Sequence, residues 1–204
     1  MMTPPGARAC YVMAHGAGAG MTHPFMEAVA AGLSTRGIAT LRYQFPYMER
    51  GGKRPDAPQL AQSTVRAAVA KALELVPRLP LIAGGKSFGG RMTSQAQAEA
   101  ALKGVRGLIF LGFPLHPAGK PSDQRGQHLF DIHVPMLFLQ GSRDQLADPG
   151  LLKLLVNRLG QDAVLTVFPD ADHSFHVPAR GGISDTRVRA QVFDSIAAWA
   201  MKIC

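Results

Sequence analysis

The stretch GGKSFGGR, Gly84 to Arg91, sets a serine among closely spaced glycines, and its centre, GKSFG, has the form G-x-S-x-G. It follows the short apolar run LIA, Leu81 to Ala83, and precedes a helix-like stretch that begins near Phe88. A strand-to-helix turn this tight forces its serine into a strained backbone conformation and holds the hydroxyl out at the end of a sheet. The flanking glycines are then needed because a side chain would meet the neighbouring strand or helix. A serine hydroxyl is a poor nucleophile near neutral pH, so Ser87 demands a base and a group that orients the base.

In such an elbow the acid and then the base follow in chain order, each on a loop after a later strand. After the apolar run MLFLQ comes GSRDQLAD, which supplies Asp144, and after VLTVF comes PDADHSFHVP, which supplies His173 and His176. His173 is favoured over His176 because it comes sooner after the strand and is followed by the small, polar Ser174. Asp148 is an alternative acid, but beside Pro149 it reads better as a helix N-cap. Asp123 follows the preceding strand, a less usual position, and Asp170 and Asp172 share the histidine's own loop and suit a turn.

Two competing readings of the glycines fail. A phosphate-binding loop, G-x-x-x-x-G-K-[ST], would need glycine at position 80, which is Pro80, and HGAGAG, His15 to Gly20, lacks the third glycine of a dinucleotide fingerprint at Met21. No nucleotide cofactor is expected. His23, His116, His128 and His133 lack metal-ligand spacing, and HExxH and CxxC are absent from the sequence, so no metal is expected either.

Acyl chemistry at Ser87 also requires donors for a developing oxyanion. The amide of Phe88, at the positive end of its helix, is one. HGAGAG, after the first strand, offers the other from Ala17, with Gly18 next, and His15 would brace that loop by hydrogen bonds. Lys86 could meet an anionic substrate, and Arg91 reads as a partner for a nearby carboxylate or carbonyl. Phe113, Leu115, His116 and His176, together with His15, Gly18 and Lys86, are candidates for a substrate rim.

These residues need a scaffold that gathers strand ends. Apolar runs at Ala9 to Ala14, Ile38 to Arg42, Leu81 to Ala83, Gly107 to Leu111, Met136 to Gln140 and Val164 to Phe168 alternate with helix-like stretches near Pro24 to Arg36, Gln59 to Val76, Phe88 to Ala101, Pro149 to Leu159 and Thr186 to Ile203. The pattern predicts an α/β fold: a doubly wound, mostly parallel sheet of about six strands with helices on both faces. Ligands of such sheets bind at the carboxyl ends of the strands. The long loops Tyr43 to Pro58 and Gly112 to Val134 both follow strands and would form a rim or partial lid.

Length and composition agree. A chain of 204 residues, 47% hydrophobic, suits one domain over residues 1–204 with a substantial core. The net charge of +8 is spread along the chain, its densest group being Arg50, Lys53 and Arg54 in a Pro/Gly-rich loop without aromatics, so nucleic acid is not expected as a partner. Two cysteines, Cys10 and Cys204, make no disulfide framework, and the N-terminus lacks a signal-peptide pattern. The expectation is a cytoplasmic protein without a membrane span.

The segments AHGAGAG, GGKSFGGRM, GFPLHPAGKP, LFLQGSRD and DADHSF resemble the alpha/beta-hydrolase superfamily, and more narrowly the small uncapped hydrolases related to dienelactone hydrolase and the testis-expressed protein 30 family. The resemblance covers essentially the whole chain. It implies a minimal alpha/beta-hydrolase fold with no cap domain and a triad of Ser87, Asp144 and His173. The expected function is a serine hydrolase acting on a small or accessible carboxylic ester or thioester through an acyl-enzyme, without a cofactor. The alternative is a non-catalytic binding or scaffold protein on the same fold.

Overall fold

The computed structural model describes residues 1–179 and 182–204. Its strands are β1 (Ala9–Ala14), β2 (Ile38–Tyr43), β3 (Leu81–Lys86), β4 (Val105–Leu111), β5 (Met136–Gly141) and β6 (Ala163–Phe168). They form one sheet in the order β2-β1-β3-β4-β5-β6, and every adjacent pair is parallel. The only antiparallel contact among the described residues is an isolated bridge between Met2 and Thr40 at the β2 edge.

The helices are α1 (Pro24–Ser34), α2 (Pro46–Glu49), α3 (Pro58–Leu75), α4 (Phe88–Glu99), α5 (Pro149–Leu159) and α6 (Asp185–Ile203). Alternation along a strand sends successive side chains to opposite faces, and β1 shows it plainly. Cys10, Val12 and Ala14 join the core under α3, α4 and α5, while Ala9, Tyr11 and Met13 join the core under α1 and α6. A strand buried on both sides reads as an unbroken apolar run, which is why β1, β4 and β5 stand out in the sequence.

The expected six-strand sheet is therefore present, and its strands differ from expectation mainly at their ends. β3 continues past Ala83 to Lys86, with Gly84, Gly85 and Lys86 paired to Ile109, Phe110 and Leu111 of β4. Glycines carry little strand propensity, so the sequence marks a turn where the neighbouring strands impose an extended chain. A Cβ on Gly85 would collide with the Ala14 carbonyl of β1. Glycine at this place lets β3 run close between its neighbours.

The long loops hold more structure than expected. Residues 43 to 58 include α2, and those from 112 to 134 include a 3-10 helix, Gln124–Asp131. The second loop is not a lid: Leu115, Leu129 and Ile132 are buried in the core shared with α4 and α5. No cap domain covers the carboxyl edge of the sheet among the described residues, and no described helix is long and apolar enough to cross a membrane.

Candidate active site

Ser87 sits at the junction of β3 and α4 with φ 48° and ψ −115°. A non-glycine residue there carries strain of about 1–3 kcal/mol, which persists only where the surroundings over-determine it. Here they do. The Ser87 amide donates to the Leu111 carbonyl at 3.1 Å, the Arg91 amide donates to the Ser87 carbonyl at 3.1 Å, and Gly89 lies so close to the end of β1 that its Cβ would fall 2.5 Å from the His15 carbonyl.

Two strands away, the loop after β5 presents Asp144, whose side chain is fully buried. Its Oδ2 accepts a hydrogen bond from His173 Nδ1 at 2.6 Å and another from Gln140 Nε2, while Oδ1 accepts from the Leu146 amide at 2.8 Å. The donation by Nδ1 fixes the imidazole with Nε2 free. His173 reaches this position because the loop after β6 is pinned: Asp172 Oδ1 accepts from the amides of Ser174 and His176, and Phe175, at φ 60°, is buried against Phe168.

Ser87 and His173 line one cleft of about 630 Å³ at the carboxyl edge of the sheet. No hydrogen bond joins Ser87 Oγ to the ring among the described residues. Such links are often long in an unliganded site and tighten when substrate is bound. Gly16, Ala17 and Gly18 line the same cleft, and a Cβ on Gly16 would touch Ser87 Cβ at 3.7 Å. Adjacent pairing of β1 with β3 brings the two loops together.

The backbone donors differ in availability. The Gly18 amide donates to Tyr47 Oη at 3.3 Å, whereas the amides of Ala17 and Phe88 have no partner among the described residues. This separates Ala17 from Gly18. His15, fully buried, donates from Nδ1 to the Gly16 carbonyl at 2.8 Å and accepts at Nε2 from the Phe45 amide at 3.1 Å. Burial holds its pKa below the usual value, only partly offset by the bond to Gly16, which suits a neutral brace.

Besides His15, which is buried and does not line the cleft, three rim expectations are corrected. Phe113 packs edge-on against Phe110 and Phe138, Leu115 is fully buried, and neither reaches the cleft. His116 is also buried, donating from Nδ1 to the Pro117 carbonyl at 2.8 Å and accepting at Nε2 from the Asp148 amide at 2.7 Å. Phe113, Pro114 and Leu115 fold inward while Pro117 stays exposed, so the histidine between them is consumed in securing the turn. His176 does line the cleft, exposed and hydrogen-bonded to Asp185, which raises its pKa. Lys86 contributes to the cleft wall, but its Nζ is buried. Arg91 differs too: its Nε is buried with no partner among the described residues.

The alternative acids have duller places. Asp148 caps α5 by accepting from the Leu151 amide, Asp123 faces Arg158 at 3.6 Å, and Asp170 occupies a turn at φ 57°. Two residues of the site escaped the sequence reading. Gln140 orients Asp144 while its Oε1 accepts from the Phe113 amide at 2.8 Å, and Tyr47 occupies the Gly18 amide. Gln140 had left a trace: it is the one polar residue in the apolar run MLFLQ.

The sequence matches a family model described as an alpha/beta hydrolase domain over residues 7–201. A dienelactone hydrolase from Anabaena variabilis is similar in structure at 22% identity and TM-score 0.77, over 98% of this chain and 89% of that one. An alpha/beta serine hydrolase without a lid from Xanthomonas campestris is similar at 23% identity and TM-score 0.73, over 97% and 86%. A monoacylglycerol lipase from Paleococcus ferrophilus is similar at 16% identity and TM-score 0.72, over 100% and 97%.

Proposed function

Because this chain belongs to the alpha/beta hydrolase domain family, we propose that it is a serine hydrolase that cleaves a small or accessible carboxylic ester or thioester. The observation that carries the reading is the 2.6 Å bond from His173 to buried Asp144, in a cleft that also holds a strained Ser87.

Ser87 Oγ attacks the acyl carbon while His173 Nε2 takes its proton, and Asp144 stabilises the imidazolium that forms. The negative charge on the former carbonyl oxygen is received by the Ala17 and Phe88 amides. Loss of one such donor typically costs about 3–4 kcal/mol of transition-state stabilisation. His173 then returns the proton to the leaving group, and water, activated by the same imidazole, releases the acyl group from Ser87. The walls of the cleft near Phe25, Met26 and Leu146 suit an apolar acyl portion, and without a cap the ester is reached from solvent.

A fluorophosphonate probe tests this directly. It is expected to label the wild-type chain and not Ser87→Ala, and p-nitrophenyl esters of short acyl groups are expected to turn over. Labelling that survives Ser87→Ala removes Ser87 from the role. A folded chain that is neither labelled nor active on the ester series favours the scaffold alternative.

A further inference from the structure

Lys86 is the residue between the elbow glycine and Ser87, and its side chain lies in an unusual position. The stem packs against the loop after β1, with Cγ 3.4 Å from the point where a Gly16 Cβ would stand. The head ends against Gly112, after β4. The Cβ position of Gly112 is 3.0 Å from Lys86 Nζ and 3.2 Å from His173 Nδ1, so the sum of these bounds the ammonium-to-ring separation. A side chain at position 112 would crowd both. Gly112, at φ 69°, leaves room for both.

Nζ is buried and has no hydrogen-bond partner among the described residues. A buried, unpaired ammonium is costly, and a chain that keeps one places it where its charge acts. The groups that face it are Asp144 from the loop after β5, and Asp172 and His173 from the loop after β6. Both carboxylates favour the charged lysine but remain beyond ion-pair distance. Burial outweighs them and pulls the amine down to about 8.

We propose that Lys86 is a positioning residue for the hydrolytic machinery: its ammonium, held near the His173 ring at Gly112, keeps the imidazole neutral and Asp144 ionised. A positive charge here opposes the imidazolium and favours the carboxylate. The ring then stays free to accept the Ser87 proton at a lower pH than the Asp144 bond alone would permit. The same side chain props the oxyanion loop through Gly16, so one residue connects both halves of the site. This role rests on the reading of His173 as the base, but its electrostatic part can be measured without turnover.

The test is an NMR titration of histidine-labelled full-length protein, wild type against Lys86→Met, with His173 identified by a His173→Asn variant. The His173 midpoint is expected to rise by about one pH unit or more in Lys86→Met, from a charge a few ångströms away. The acid limb of fluorophosphonate labelling is expected to move upward with it. Lys86→Met is also expected to gain resistance to urea, since a buried unpaired charge is removed; a merely structural lysine would lose it. Lys86→Gln, closer in polarity, should repeat the titration shift if the Met variant folds poorly. A midpoint that stays within about 0.3 unit of wild type in both variants overturns the proposal. Wild-type labelling with an unmoved midpoint removes Lys86 alone, whereas a moved midpoint without labelling removes the hydrolase reading alone.

Discussion

Gln140 and Asp144 are joined by a buried hydrogen bond from the Gln140 Nε2 to the same carboxylate oxygen that accepts from His173. The other end of the amide accepts from the Phe113 backbone. One side chain thus links the floor of the site to the loop after β4, and it sets the angle at which Asp144 meets the imidazole.

Gln140→Leu is expected to lower kcat toward a p-nitrophenyl ester about tenfold or more with little change in KM, because misplacement of the proposed base costs transition-state geometry. Leaving the Phe113 N–H unsatisfied should cost about 1–3 kcal/mol in urea unfolding. An unchanged kcat in a destabilised variant would limit Gln140 to a structural part.

The strain at Ser87 separates two inactive variants. Ser87→Gly and Ser87→Ala should both abolish probe labelling, but only glycine, which has no Cβ, adopts φ 48° with ψ −115° without conflict. Ser87→Gly is expected to be more stable than Ser87→Ala by about 1 kcal/mol, after the greater freedom of glycine in the unfolded chain is offset. A Ser87→Gly variant less stable than Ser87→Ala by about 0.4–1 kcal/mol, the entropic cost of glycine alone, would show that the turn holds no strain.

Tyr47→Phe removes the acceptor of the Gly18 amide at the edge of the proposed oxyanion loop. The freed N–H competes with Ala17 for the substrate oxygen and loosens the loop, and kcat is expected to fall about 3-fold to 10-fold. Full activity in Tyr47→Phe would mean that His15 braces the loop unaided through its bonds to Gly16 and Phe45.

His128 should make the protein acid-sensitive. Its ring lies against Ser94, whose hydroxyl donates to the Arg91 carbonyl and so accepts from His128 Nε2 at 2.8 Å. Burial, followed by the Arg91 charge, holds the imidazole down from 6.5 to about 4. Between those values the unfolded chain takes up a proton that the folded one refuses, so stability is full above the unfolded pKa and declines as pH falls toward 4. The loss is expected to be about 2 kcal/mol, discounted for the ring's partial exposure. Buried His15 adds a decline of the same sign. Urea unfolding at pH 7 and pH 4.5 should show a smaller difference in His128→Gln than in wild type, and an equal difference would exclude His128 as the cause.

The sequence alone determined what is local or periodic. Unbroken apolar runs specify strands buried on both faces, and the spacing of Val188, Val192, Ile196 and Trp199 specifies the face of α6 that covers them. The order Ser87, Asp144, His173 follows from where turn chemistry interrupts those runs. The rim assignments of Phe113, Leu115 and His116 failed because a loop reads alike whether it faces solvent or folds onto α5. Gln140, Tyr47 and the buried head of Lys86 were decided by tertiary structure. Their partners lie on other strands and loops, and no short-range pattern records which carboxylate, amide or ring the register of a parallel sheet will bring beside them. Composition and spacing select side chains; only the closing of the chain around β1, β3 and β5 sets the distances at which their charges and hydrogen bonds act.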